Sequence, residues 1–393
     1  MMQMAAILWH ISLLVPADQK GLALGLVGLA RVVPIIVFSL ISGVVADAFD
    51  RRKLMLITQS GLALIAAALA WITFGGLAVV WPIYLLSALG SAAASFDGPA
   101  RQSLIPNLVP REQLPNAISL NTIVVQAGSV LGPALAGFTI GAWDVGWVYV
   151  LNALSFLAVI AALLLMRDVP GHAVGEKREI GPRAALEGLR FVFATPLIRS
   201  TMLLDFFATF FSSATALLPI FAQDILQVGA AGYGWLYAAP SIGALLTSAA
   251  LVRFVDRIEQ RGRALIVAVL GYGLATVVFG LSQNFWLTFA CLALTGATDT
   301  VSMVLRNITR QLTTPDHLRG RMTSVNMIFF MGGPQLGELE AGLVANVFGA
   351  PASVISGGLG CLLAAGWIAL KTPALRRYRR EGAIPVAQGV TAG

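Results

Sequence analysis

The chain has 393 residues, 57% hydrophobic and only 11% charged, with a net charge of +7 and a mean hydropathy of +0.81. Soluble domains carry about 25% charged residues, which excludes a water-soluble globular protein. The apolar residues recur in blocks of about 20, and about 20 helical residues match the roughly 30 Å hydrocarbon layer. The expected fold is therefore an all-α polytopic membrane protein.

In chain order, helices are predicted at 1–15, 22–46, 54–73, 78–100, 115–140, 145–166, 198–223, 230–252, 263–282, 285–306, 322–347 and 351–371. The first is short for a span, roughly 15 residues against about 20, and is expected to be truncated. With these boundaries every Lys and Arg except Lys20 and Arg31 falls at loops or helix ends on one side. Basic loops mark the cytoplasmic face, so that side and the C-terminus are expected to face the cytoplasm. The excess charge then records topology, and no nucleic-acid partner is implied. Cys291 and Cys361 lie in predicted helices without disulfide or metal-ligand spacing.

The longest polar interruption separates six helices from six. It defines an N-terminal half at 1–166, a linker at 167–197, a C-terminal half at 198–371 and a tail at 372–393. Within the linker, "PRAALEGLRFVF" has apolar residues at helical spacing with basic residues between them, which predicts an amphipathic helix on the membrane surface. The halves repeat each other. "NTIVVQAGSVLGPALAG" (Asn121–Gly137) aligns on "NMIFFMGGPQLGELEAG" (Asn326–Gly342), with Asn, Ile, Gly, Leu, Gly, Ala and Gly coinciding; Arg101 meets Arg306 at the same offset, and Gly25 meets Gly234 at a nearby one. A six-plus-six duplication is a transporter architecture with the substrate site between repeats, near the bilayer midplane.

Two motifs carry more than packing. "GVVADAFDRRKLML" joins the second and third helices, and its Gly43, Asp47, Arg51 and Arg52 combine a tight turn with an i,i+4 acid–base pair and a basic cluster. In "GSVLGPALAG" of the fifth helix, Gly128, Gly132 and Ala136 form a small-residue stripe suited to close helix approach. Pro133 removes a backbone bond there, and Gly137 closes the motif. Ordinary helix packing would also account for the stripe. No Gly-x4-Gly-Lys-Ser/Thr and no nucleophile constellation occurs, so an enzyme is not expected.

On these residues the chain resembles the major facilitator superfamily. "FDGPARQSLIPNLVPREQLPNAISLN" and "LLPIFAQDILQVGAAGYGWLYAAPSIGA" are similar to the branch holding enterobactin-type siderophore exporters and macrolide efflux proteins. The resemblance implies two six-helix halves, a monomer in a bacterial inner membrane, and export of amphipathic small molecules in exchange for protons, with no cofactor beyond the proton gradient. Import by the same fold, or a sensor that moves nothing, remains open. In that family the loop of Asp47 and Arg51 locks onto an acid near the end of the fourth helix, which makes Asp97 the candidate. Gly128, Gly132, Pro133 and Gly137 match the antiporter motif of the fifth helix, with Ala136 where glycine is more frequent. The fourth helix lacks the mid-membrane arginine of the proton-linked families.

Four acids lie at membrane depth: Asp205, Asp299, Glu338 and Glu340. Each costs roughly 2.5 kcal/mol or more there unless paired, protonated or wetted. In the family, the second helix packs on the eleventh, and Arg31 and Glu338 lie at similar depth. An ion pair bridging the halves is one expectation; a partner for Arg31 within its own half is the other. Glu340, about 200° further round its helix, is expected to face the cavity. All four acids and Arg31 are candidates for proton coupling.

Overall fold

The structure, a computed structural model, describes residues 1–166, 189–315 and 318–379. Its described residues form helices and connecting turns. The N-terminal half comprises α1 (Met2–Leu14), α2 (Lys20–Ala48), α3 (Arg51–Phe74), α4 (Trp81–Leu108), α5 (Leu114–Ala142) and α6 (Val145–Leu165). The C-terminal half comprises α7 (Pro196–Phe211), α8 (Gly229–Phe254), α9 (Arg261–Leu281), α10 (Phe285–Thr313), α11 (Arg319–Phe348) and α12 (Ala350–Lys371), followed by the short α13 (Pro373–Arg377).

Polar residues between the apolar runs start these helices. Asp50 accepts from the amides of Arg52 and Lys53 at the start of α3. Asp144 does the same for α6 and Asn284 for α10, each satisfying amides that a helix leaves open. Prolines occupy the first turn of α4, α5, α7 and α12, where no amide hydrogen is needed. A single residue, Gly349, turns the chain between α11 and α12 at φ +86°, a conformation that costs glycine little.

Among the described residues nine helices are both long and apolar enough to cross a membrane. α4 and α11, with 28 and 30 residues, have the length but carry too many polar and small residues to qualify by hydropathy. α1 has 13 residues. Exposed Leu154, Leu157 and Leu164 on α6 and Leu363, Trp367 and Leu370 on α12 present the apolar surface that lipid requires. The chain is a multi-pass membrane protein.

Two expected boundaries move. α4 runs to Leu108 and α10 to Thr313, so Arg101 and Arg310 belong to helices rather than to loops, and Arg306 lies inside its helix rather than at its end. Arg306 is 2% exposed. The expected amphipathic helix falls mostly on 167–188, outside the described residues, while residues 189–194 are helical. α7 is broken: after Phe211 come a 3-10 turn at Ala214–Leu217, one α turn at Leu218–Ile220 and a π turn at Phe221–Ile225. Irregular backbone at membrane depth is tolerated where it lines a cavity or is buried in protein, and here it does the first.

Candidate functional site

The halves meet along two seams related by the internal repeat. α2 packs on α11, and α5 on α8. At the first seam a Cβ added to Gly25 would lie 2.9 Å from Gly342 Cα; at the second, one added to Gly137 would lie 2.7 Å from Gly234 Cα. Gly25 and Gly234 are repeat-equivalent, as are Gly342 and Gly137, so the same backbone-on-backbone contact is made twice. Such approach is possible only where the side chain is a hydrogen atom. Both seams lie toward the end opposite the basic loops.

α1 completes the closure at that end. Tyr233 of α8 donates to the Ala5 carbonyl at 2.8 Å, and its ring packs on Trp9 with centroids 5.0 Å apart. Lys20, at the start of α2, spans the halves: its Nζ donates to Asp224 at 2.9 and 3.0 Å and to Gln223 at 3.1 Å, and Gln223 donates to Ser12 at 2.7 Å. Toward the basic end α5 and α8 separate. Thr122, Ile123, Val124 and Val125 of α5 are exposed in succession, on nearly every side of that turn, whereas farther along Leu131, Leu135 and Phe138 are exposed to one side and Pro133, Ala136, Gly137 and Thr139 are buried on the other. A cleft between the halves thus opens at the basic end and is shut at the other.

The intramembrane acids distribute between two places. Arg31 and Glu338 come together across the first seam, Nη1 to Oε2 at 3.9 Å, beside Gly28, where a Cβ would press on Glu338. At 3.9 Å this is an ion pair without a direct hydrogen bond. Glu340 is half-buried and on another face of α11. Asp205 and Asp299 instead gather around Arg306 inside the C-terminal half: Arg306 Nη1 is 2.5 Å from Asp205 and Nη2 is 3.6 Å from Asp299. Asp299 also lines a cavity of about 110 Å³ at the break in α7, together with Ser212, Thr215, Tyr272, Thr276 and Thr295.

At the basic end, Gly43 and Asp47 are described only as part of α2, and the contacts expected of the Asp47 carboxylate lie outside what is described. Arg51 donates to the Ser103 carbonyl at 2.9 Å. Arg52 donates to the carbonyls of Leu163 and Leu164, capping the negative end of α6. Asp97 is 7% exposed and takes hydrogen bonds from Thr58, Gln59 and, at 2.7 Å, Arg101 one turn on. The ion-pair partner of Asp97 is therefore Arg101, where the loop arginine was expected. Arg51 is spent on the Ser103 carbonyl instead, and Arg101, one turn along the same helix, is the nearer cation for Asp97.

The glycine motif of α5 also divides. Gly137 forms the second seam; a Cβ added at Gly132 would lie 3.1 Å from the Met2 amide at the start of α1; one added at Gly128 would meet nothing within 4 Å. Close approach thus belongs to Gly137, about 100° off the expected stripe, and Gly128 sits on the diverging part of α5. Two further groups were not singled out from sequence. Lys20 was visible as the lone cation at its end, and Arg306 as the repeat equivalent of Arg101.

Comparison with known proteins places these features in a lineage. A family described as Transmembrane secretion effector matches residues 1–388. The chain is 31% identical over 368 residues to Enterobactin exporter EntS of Escherichia coli O1:K1 / APEC, covering 92% of this chain and 85% of that protein. Its counterpart in Shigella boydii serotype 18 matches to the same extent. Among solved structures, a D-xylose-proton symporter superposes with a TM-score of 0.70 at 14% identity, covering 96% of this chain and 97% of the other. A bacterial homolog of the human lysosomal transporter Spinster, inward-facing and unoccupied, gives 0.71 at 16% identity with 96% of each chain covered. A bacterial homologue of the iron transporter ferroportin, also inward-facing, gives 0.70 at 13%, covering 95% and 96%. At these identities the solved structures speak for the fold alone.

Proposed function

Since the chain belongs to the transmembrane secretion effector family of the major facilitator superfamily, we propose that it is a secondary active exporter of amphipathic, siderophore-type molecules, exchanging them for protons by alternating access. The basic end faces the cytoplasm of a bacterial inner membrane, the C-terminus with it, and the protein acts as a monomer. On this reading the structure is an inward-facing state, ready to load from the cytoplasm.

The observation that carries the reading is the asymmetry of the interface. Two glycine seams and the Lys20–Asp224 and Arg31–Glu338 pairs hold one end shut, while α5 and α8 diverge at the other. Two rigid halves hinged at such contacts rock between two access states. Glu338, set against Arg31 in the seam, releases its partner when protonated and so couples protons to outer opening. When the seams part, Asp97 and the Asp47–Arg51 loop would form the inner lock.

The test is secretion of enterobactin by cells whose own exporter is deleted, with and without this protein, and again after the proton gradient is collapsed. Expected is restored secretion that disappears with the gradient and with Gly137→Leu. Equal secretion with and without the protein overturns the substrate class. Secretion that survives loss of the gradient overturns proton exchange, and uptake in place of secretion reverses the direction.

A further inference from the structure

Away from the seams, the C-terminal half contains an ionic cluster joined to a small cavity. Arg306 of α10 is 2% exposed and held by Asp205 of α7 at 2.5 Å. Its other amino group stands 3.6 Å from Asp299, too far for a hydrogen bond. One guanidinium serves two carboxylates unequally. Asp205, with a side chain 3% exposed, owns the close contact, while the Asp299 side chain is 45% exposed and lines the cavity at the break in α7.

The walls of that cavity are suited to an acidic proton and its water. Thr276 donates its hydroxyl hydrogen to the Tyr272 carbonyl at 2.9 Å, and Thr295 to the Leu292 carbonyl at 2.6 Å. A hydroxyl whose hydrogen is spent on its own helix offers lone pairs to what lies before it. Ser212, at the break, is 7% exposed and its hydroxyl is within hydrogen-bonding reach of the Cys361 thiol, so it adds a polar wall to the cavity. About 110 Å³ is room for several waters. The ionisable groups around Asp299 are Asp205 from α7, Tyr272 from α9, and Arg306 and Arg310 from α10, with Cys361 of α12 in electrostatic reach of Tyr272. α8 contributes Pro240 and no ionisable group to the lining. Arg310 donates to Asn307 and makes no ion pair among the described residues.

We propose that this cavity is a proton-binding site with Asp299 as the acceptor. A hydronium ion in the cavity transfers one proton to the Asp299 carboxylate, leaving water, and Arg306 then serves Asp205 alone. Loss of the proton restores the shared arrangement. A metal cation such as sodium is disfavoured, since it would sit close to the Arg306 guanidinium and be repelled. The physiological use of the site rests on the proton-exchange reading; its capacity to titrate does not. The site is separate from the Arg31–Glu338 pair, so the exporter would carry a proton within one half as well as a proton-sensitive contact between halves.

Infrared titration of the purified full chain in lipid nanodiscs tests this. A protonated-carboxyl C=O band should grow as pH falls, lose one component in Asp299→Asn, and keep it in Glu338→Gln. Asp299→Glu should retain a titrating component with a shifted midpoint, which keeps the test decisive if the asparagine variant does not fold. Replacing choline chloride with sodium chloride should leave the midpoint unchanged. A band that is identical in wild type and Asp299→Asn overturns the inference. A midpoint that follows sodium concentration also overturns it, in favour of a metal cation. If Asp299 titrates as expected while secretion ignores the proton gradient, the site stands and the exchange reading fails.

Discussion

At 3.9 Å, Arg31 and Glu338 hold each other loosely enough to separate. Removing one partner leaves the other charge poorly compensated, which costs about 3–5 kcal/mol for a fully buried pair and less here, because the Arg31 side chain is 25% exposed. Arg31→Gln and Glu338→Gln are each expected to lower stability by about 1–3 kcal/mol, with the double variant no worse than either single one. Thermal unfolding in detergent measures the cycle, and strictly additive losses would show that the two side chains do not interact. Glycine gives a sharper contrast. Gly25→Val pushes a branched side chain into the Gly342 backbone and should destabilise the closed end by about 1–3 kcal/mol. Gly128→Val meets nothing within 4 Å and should be silent in the same assay. From sequence the two glycines are indistinguishable, since each sits in a run of small residues. Only the partner's backbone tells them apart.

Helices show where charge misleads. The expected helix ended at Arg306, yet α10 continues to Thr313, and Arg306 finds Asp205 in another helix instead of facing a loop. Hydropathy cannot separate an arginine paired inside a bundle from one in a loop, as the two read alike along the chain. Asp205 was legible as an intramembrane acid, and the repeat aligned Arg306 with Arg101, but their meeting required α7 and α10 to be placed. Arg306→Met strands the buried Asp205 carboxylate, and a loss of about 3–5 kcal/mol is expected. Adding Asp205→Leu should recover most of it, since an apolar pair can replace a buried ionic one. Circular-dichroism melts of the three variants decide; a double variant as unstable as the single one would mean that Arg306 serves another partner. Capping was easier to read. Asp50, Asp144 and Asn284 stand just before apolar runs, and each caps the helix expected there.

For the molecule as a whole, the duplication was plain in Asn121–Gly137 against Asn326–Gly342, and the matched seams Gly25–Gly342 and Gly137–Gly234 are its structural expression. Which end is closed was not legible, because small residues recur along α2, α5, α8 and α11 and only the placed backbones show where they touch. The Asp97 environment, bonded to Arg101, Thr58 and Gln59, lies wholly within the N-terminal half. Topology is testable directly. A reporter active only in the cytoplasm should work when fused after Lys371 and fail when inserted at Gly349, and the opposite pattern would invert the assignment of the basic end. Accessibility offers a second check. Cys291 and Cys361 are both buried, so a cysteine at exposed Ile123 should dominate labelling by a membrane-impermeant maleimide applied to the basic side.

The two seams also order the birth of the protein. Each joins a helix of the first half to one made much later, and α8 leaves the ribosome before α11. The Gly137–Gly234 contact can therefore form while Gly342, about a hundred residues downstream, is still unmade. At roughly 5–20 residues per second that interval lasts on the order of 5–20 s. During it the nascent chain holds α5 against α8 while the face of α2 around Gly25 and Arg31, bare since its own synthesis, still waits for its partner, so a membrane chaperone covering that face would be released only as this window closes.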